Sequence, residues 1–141
     1  MGMQYDTHIA EHIRAAGLRV TQDRLALIRH LARAKSPQGI KEIAHALRAK
    51  TDQVTVYRTV AAFVKAGIIR ELDLRQGRSL YELSDPHDHH HVVCTSCGKV
   101  GEFTGCEVAH IVPKALKQAK GFARVESHAL ELFGICNSCS S

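Results

Sequence analysis

Cys94-Thr95-Ser96-Cys97 and Cys136-Asn137-Ser138-Cys139 are two Cys-x-x-Cys knuckles set roughly 40 residues apart. Each offers two thiolates on one tight turn, and four thiolates brought together make the tetrahedral S₄ site that Zn²⁺ favours. The gap exceeds that of common zinc ribbons, so a small domain must fold between the halves of the site. Two disulfides are the alternative, better suited to a secreted chain. The first knuckle is preceded by Asp85-Pro86-His87-Asp88-His89-His90-His91, a run of imidazoles and carboxylates that adds further ligand chemistry. His89 and His91 alternate along what reads as a strand and so face one side. Asp88 and His90 face the other.

Nothing resembling a catalytic zinc centre accompanies these groups. A deaminase-type site needs His-x-Glu and a Pro before the Cys-x-x-Cys, and neither is present. The chain is therefore not expected to be an enzyme, nor to have a small-molecule substrate. A metal-buffering protein is a reading from a different class; it would use the His run and leave the basic half unexplained.

The elements that must position these ligands divide the chain by charge. Of the 141 residues, 1–80 carry 14 Lys/Arg against 7 Asp/Glu, a surplus of +7, and 81–141 carry 5 against 7. A basic half of this kind can meet a polyanion, or merely present a solvated basic face. No apolar run approaches the ~20 residues needed to span a bilayer, and no signal peptide is visible at Met1–Asp6. Cysteine usage then points to a reducing compartment, with the cytoplasm as the default and no membrane partner.

In the basic half, Ile9, Ile13 and Ala16 predict a helix stopped at Gly17, and Thr21 caps a second over Gln22–Ala34. Ser36–Gly39 reads as a turn before a short helix through Ile43, Ala44 and Leu47. A fourth helix, Gln53–Ala66, places Val56, Val60 and Phe63 on one side and Thr55, Arg58 and Ala62 opposite. Strands at Ile68–Leu74 and Ser79–Leu83 around Arg75-Gln76-Gly77-Arg78 make a basic-tipped hairpin. Helices followed by such a hairpin describe a winged helix-turn-helix. Its last helix would enter the major groove of double-stranded DNA, with Arg58 on guanine and Tyr57 and Thr55 on a thymine methyl or phosphate. Arg75 and Arg78 would approach phosphate or the minor groove. The plainer account has Arg58 as a solvated charge and Tyr57 as half core.

Four motifs in order carry a resemblance: Gly17-Leu18-Arg19-Val20-Thr21-Gln22-x-Arg24, Thr55-Val56-Tyr57-Arg58-Thr59-Val60, the His run into Cys94-x-x-Cys97-Gly98-Lys99-Val100-x-Glu102-Phe103, and His128-x-Leu130-x-Leu132-Phe133-Gly134-x-Cys136-x-x-Cys139. Across nearly its whole length the chain resembles the ferric uptake regulator family. That resemblance implies a homodimeric, metal-dependent bacterial transcription regulator, usually a repressor, that binds palindromic operators. It implies an α+β chain: a winged-helix domain over 1–83, a hinge at 84–88 and a small αβ metal-binding dimerisation domain over 89–141. Arg19 and Arg24 join the DNA-contacting set on the same ground.

The resemblance also sorts the ligands. Cys94, Cys97, Cys136 and Cys139 would hold a structural zinc on which dimerisation depends. Glu82 matches the ligand preceding the hinge and, with His89 and His91, would make the regulatory site. Its fourth ligand stays open among Asp73, Glu71 and water. Asp88, His90, His110 and His128 would form an additional set, with Glu102 and Glu107 as substitutes. His110 and His128 are otherwise ordinary surface histidines, like His8, His12, His30 and His45. Two departures blur the identity of the metal. No His precedes the third helix at Pro37-Gln38-Gly39, as iron-responsive members have, and Ser84 stands where zinc-responsive members often place a Cys. Fe²⁺ or Zn²⁺ is expected, with Mn²⁺ and Ni²⁺ as further options; a peroxide-sensing regulator is the alternative within the family. Cys106 has no partner in any of these patterns.

Overall fold

The computed structural model describes the backbone of residues 2–84 and 89–141 and side chains from Thr7 onward; it divides into two compact units, Met1–Ser84 and Asp85–Ser141. The first unit runs α1 (Gly2–Ala15), α2 (Gln22–Arg33), β1 (Gln38–Gly39), α3 (Ile40–Leu47), α4 (Gln53–Lys65), β2 (Ile69–Asp73) and β3 (Ser79–Leu83). The helix ends follow the local chemistry. Thr21 accepts from the Arg24 N–H at 3.2 Å, and Asp52 accepts from the Thr55 N–H at 3.1 Å. Gly17 and Gly67 adopt the positive φ that ends a helix (77° for each). Ile13, Leu27, Ile43, Val56, Phe63 and Ile69 converge in one core, each at most 2% exposed.

The expected turn at Ser36–Gly39 contains more order than a turn. Gln38 and Gly39 pair antiparallel with Tyr81 and Leu80, giving a three-stranded sheet in the order β1-β3-β2. A Cβ at Gly39 would lie 2.4 Å from Nη1 of Arg78, so the flexible guanidinium that crosses over it would have to shift. The helices and this small sheet form the winged helix-turn-helix, with the hairpin β2–β3 as its wing.

The second unit holds β4 (His90–Cys94), β5 (Val100–Phe103), α5 (Val108–Gln118) and β6 (Glu131–Gly134). Its sheet runs β5-β4-β6, antiparallel on one side of β4 and parallel on the other. β6 spans only Glu131–Gly134. β6 pairs in parallel with His91–Cys94, and β4 begins only at His90, so residues before Glu131 have no ladder to join. Pro113 stands in the second turn of α5. The helix buries none of its residues, and Val92, Ile111, Phe122, Val125, Leu132 and Ile135 are each more than 40% exposed. Among the described residues, no helix is long and apolar enough to cross a membrane.

Candidate metal centres and nucleic-acid interface

The first knuckle is itself the turn that joins β4 to β5, and the second follows β6 directly. Because β6 lies parallel to β4, both strands deliver their knuckles to the same end of the sheet. The Sγ atoms of Cys94, Cys97, Cys136 and Cys139 lie within 4.8 Å of one another, and all four cysteines are free thiols. Cys97 Sγ and Cys136 Sγ are 3.7 Å apart. Four sulfurs about 2.3 Å from a central zinc would be about 3.8 Å apart, so the spacing fits an ion rather than a disulfide. The Cys136 N–H donates to Cys94 Sγ at 3.4 Å and the Cys97 N–H at 3.5 Å. These two backbone donors, in that order, lower the Cys94 thiol to about 6. Against a Ser96 contact that lowers it, the sulfurs of Cys136 and Cys97 push Cys139 up to about 11.

His89 and His91 share a side as the alternation requires, their rings 5.3 Å apart and edge-on. Their third companion is Glu102, whose carboxylate lies with both imidazoles inside a 4.8 Å group. The sequence reading had set Glu102 beside the other set of ligands. The register decides otherwise: the Cys94–Cys97 turn pairs Val93 with Val100, which puts Glu102 opposite His91. Two imidazoles and a carboxylate make an N/O site for a borderline or hard divalent ion. In the first unit, Glu82 stands opposite Arg70 across β2 and β3 and accepts from its guanidinium. Asp73 accepts from the Arg75 N–H at 3.0 Å and Glu71 lies 3.5 Å from the Tyr81 hydroxyl, so both carboxylates have partners on the wing.

On the opposite face of β4, the Nε2 atoms of His90 and His128 are 3.4 Å apart. The side chain that completes this group is Cys106, its Sγ 3.6 Å from His128 Nε2, where the sequence reading gave that thiol no partner. His110 is exposed on α5 and does not join the group, nor does Glu107, which precedes that helix. Asp88 lies outside the described residues.

The helical face expected to meet DNA is open. Val54, Tyr57 and Arg58 are exposed on α4, while Val56, Thr59, Val60 and Phe63 form its buried side. The Thr55 hydroxyl donates to Asp52, so it serves the helix cap. Arg24 donates to the Arg19 carbonyl. Arg75 stands at the wing tip with φ 58°, next to Gly77 at 72°. Arg78, expected on phosphate or in the minor groove, is paired with Glu42, whose other oxygen accepts from the Gly39 N–H at 3.3 Å. The sequence reading also passed over a recess of about 330 Å³ at the turn between α3 and α4, lined by Lys41, His45, Arg48 and Thr51. Lys41 and Arg48 line it with the His45 imidazole and the Asp52 carboxylate, a grouping visible only once the helix is placed.

Residues 15–133 match the model of the ferric uptake regulator family. The ferric uptake regulation protein of Bordetella parapertussis is 34% identical over 134 residues, covering 87% of this chain and 90% of that protein. The peroxide-responsive repressor PerR of Staphylococcus epidermidis is 30% identical, covering 90% of this chain and 85% of its own. The fold matches the Helicobacter pylori ferric uptake regulator Fur, a protein described as having three functional metal binding sites. That match has a TM-score of 0.78 at 26% identity, over 96% of this chain and 91% of the other. By its matched length, its paired strands and its knuckles, the chain belongs to the ferric uptake regulator family, a family of metal-responsive transcription regulators.

Proposed function

We propose that this chain is a DNA-binding transcriptional repressor that closes on a palindromic operator as a metal-loaded homodimer. The observation that carries the reading is the convergence of His89, His91 and Glu102 on one face of β4–β5, in a chain whose basic unit exposes Tyr57 and Arg58 on α4. The four cysteines hold a structural Zn²⁺ that fixes β6 beside β4. His89, His91 and Glu102 hold the regulatory ion, Fe²⁺ or Zn²⁺, and Glu82 adds a carboxylate from the end of the wing. Bound there, the ion supplies a cross-link between the two units. The gain is orientational: two α4 helices held at a fixed separation suit two half-sites, whereas freely turning heads do not. The exposed apolar side chains of the second unit supply the surface between protomers.

A metal-by-metal titration of binding to palindromic duplexes, with elemental analysis of the same protein, tests this. Binding should require the exchangeable ion and fall steeply with salt. Equal affinity of the stripped and loaded protein, each with its cysteine-bound zinc intact, would overturn the reading.

A further inference from the structure

We propose that Cys106 is a metal ligand: it joins His90 and His128, which the family resemblance already implies as ligands of an additional site, to make a mixed imidazole–thiolate site that takes Zn²⁺. The three residues come from separate elements of the second unit. His90 opens β4, the central strand, and Phe103 of β5 packs against its ring at 5.5 Å. Gly105, in the left-handed region at φ 84°, bends the chain after β5 so that Cys106 approaches from that side. His128 comes from the stretch preceding β6, on the other flank.

The spacings are those of a tetrahedral ion. Bond lengths of about 2.0–2.1 Å to nitrogen and about 2.3 Å to sulfur give edges of about 3.3 Å between nitrogens and about 3.6 Å from nitrogen to sulfur. The observed separations are 3.4 Å between His90 and His128 and 3.6 Å from His128 to Cys106. All three donor atoms fall inside 4.8 Å, and none belongs to the four-cysteine cluster. His90 is 6% exposed while His128 is exposed and Cys106 half-buried, so the group has a fixed inner donor and an entry path from solvent. Two neutral imidazoles and one thiolate leave a fourth position open and favour a borderline-soft ion. The His89/His91/Glu102 group has no sulfur and faces the other side of β4. The two sites therefore select by different chemistry, and this one stands whether or not the regulatory reading does.

Co²⁺ is the probe. Protein carrying one zinc per chain in its cysteine cluster is titrated with Co²⁺, and the zinc content is measured again at the end. A thiolate-to-cobalt charge-transfer band should appear in the near ultraviolet and be absent from Cys106→Ser, which still takes Co²⁺ through imidazole and carboxylate without that band. A band of equal intensity in Cys106→Ser, whether from displaced zinc or another thiol, overturns the proposal, as does no band in the parent. A second measurement needs no variant at Cys106. Iodoacetamide alkylation of Cys106, read by peptide mass spectrometry, should slow about tenfold or more when the zinc-containing protein is saturated with further Zn²⁺. His128→Ala should remove that protection. An unchanged alkylation rate in the parent protein overturns the assignment.

Discussion

His91 of β4 and Glu102 of β5 face each other across an antiparallel pair, the first 1% exposed and the second open to solvent. An ion held between them has one rigid donor and one that can yield. Replacing Glu102 with Gln should therefore weaken the regulatory ion by about 10–100-fold while leaving the cysteine-bound zinc in place. His91→Ala should abolish the response to metal. Isothermal titration with Mn²⁺ or Co²⁺, paired with zinc content, reads both; full metal-dependent DNA binding in His91→Ala would move the switch elsewhere.

Arg58 and Arg78 are both basic residues of the first unit, and of these two only Arg78 has an ion pair among the described residues, with Glu42. Arg58→Ala should cost about 1–3 kcal/mol of operator affinity and relax preference at one base position. Arg78→Ala should cost less on DNA and at most about 1 kcal/mol in stability, since both partners are roughly half exposed. Gel-shift titrations at two salt concentrations separate the cases. An Arg78 effect larger than that of Arg58 would reverse the assignment.

The Thr55 side chain, and then its N–H, hold the Asp52 carboxyl below its ordinary value. A carboxylate depressed in the folded state stabilises that state above the unfolded value of 3.8, and the contribution vanishes as pH falls through the folded value. Asp52→Asn retains a capping side chain and loses the charge. Urea midpoints should put the variant below the parent at pH 7, with the gap closing as the pH drops below 3.8. A gap that stays constant down to acid would mean that the charge contributes nothing.

The two units have separate sources of stability. Phe63, fully buried, anchors the first, and Phe63→Ala should cost about 3–5 kcal/mol there without releasing cysteine-bound zinc. Cys136→Ser should do the reverse, losing the ion and the β4–β6 pairing while the helices keep their unfolding transition. Far-ultraviolet circular dichroism and zinc analysis on both variants check this. A single shared transition would contradict it.

Much of this was legible from spacing. Thr21 capped its helix as its type predicted, and the Ser79–Leu83 strand appeared at its predicted limits. The four cysteines met because two short knuckles leave few other ways to satisfy four thiolates. What failed was pairing between distant strands. Glu102 could have been assigned to His91 by counting outward from the Cys94–Cys97 turn, because that turn fixes the register. Cys106 could not have been found this way: it reaches His128 through the bend at Gly105 and a stretch of chain with no regular repeat. β1 was missed for a related reason, since two residues carry no periodicity and only β3 reveals them as a strand.

Val92 and Leu132 are registered neighbours on β4 and β6, 41% and 47% exposed, with Gly101 on the other side of Val92. Alternation along β4 puts this greasy row on the same face as His90 and Cys94, one step from a sulfur-bearing cluster in each direction. Any body laid over the row also covers the face of β4 from which His90 and Cys94 project. Leakage of those ions to a chelator should therefore slow as the solution is made more concentrated, so that how long the protein retains its cargo becomes a measure of how crowded it is with its own kind.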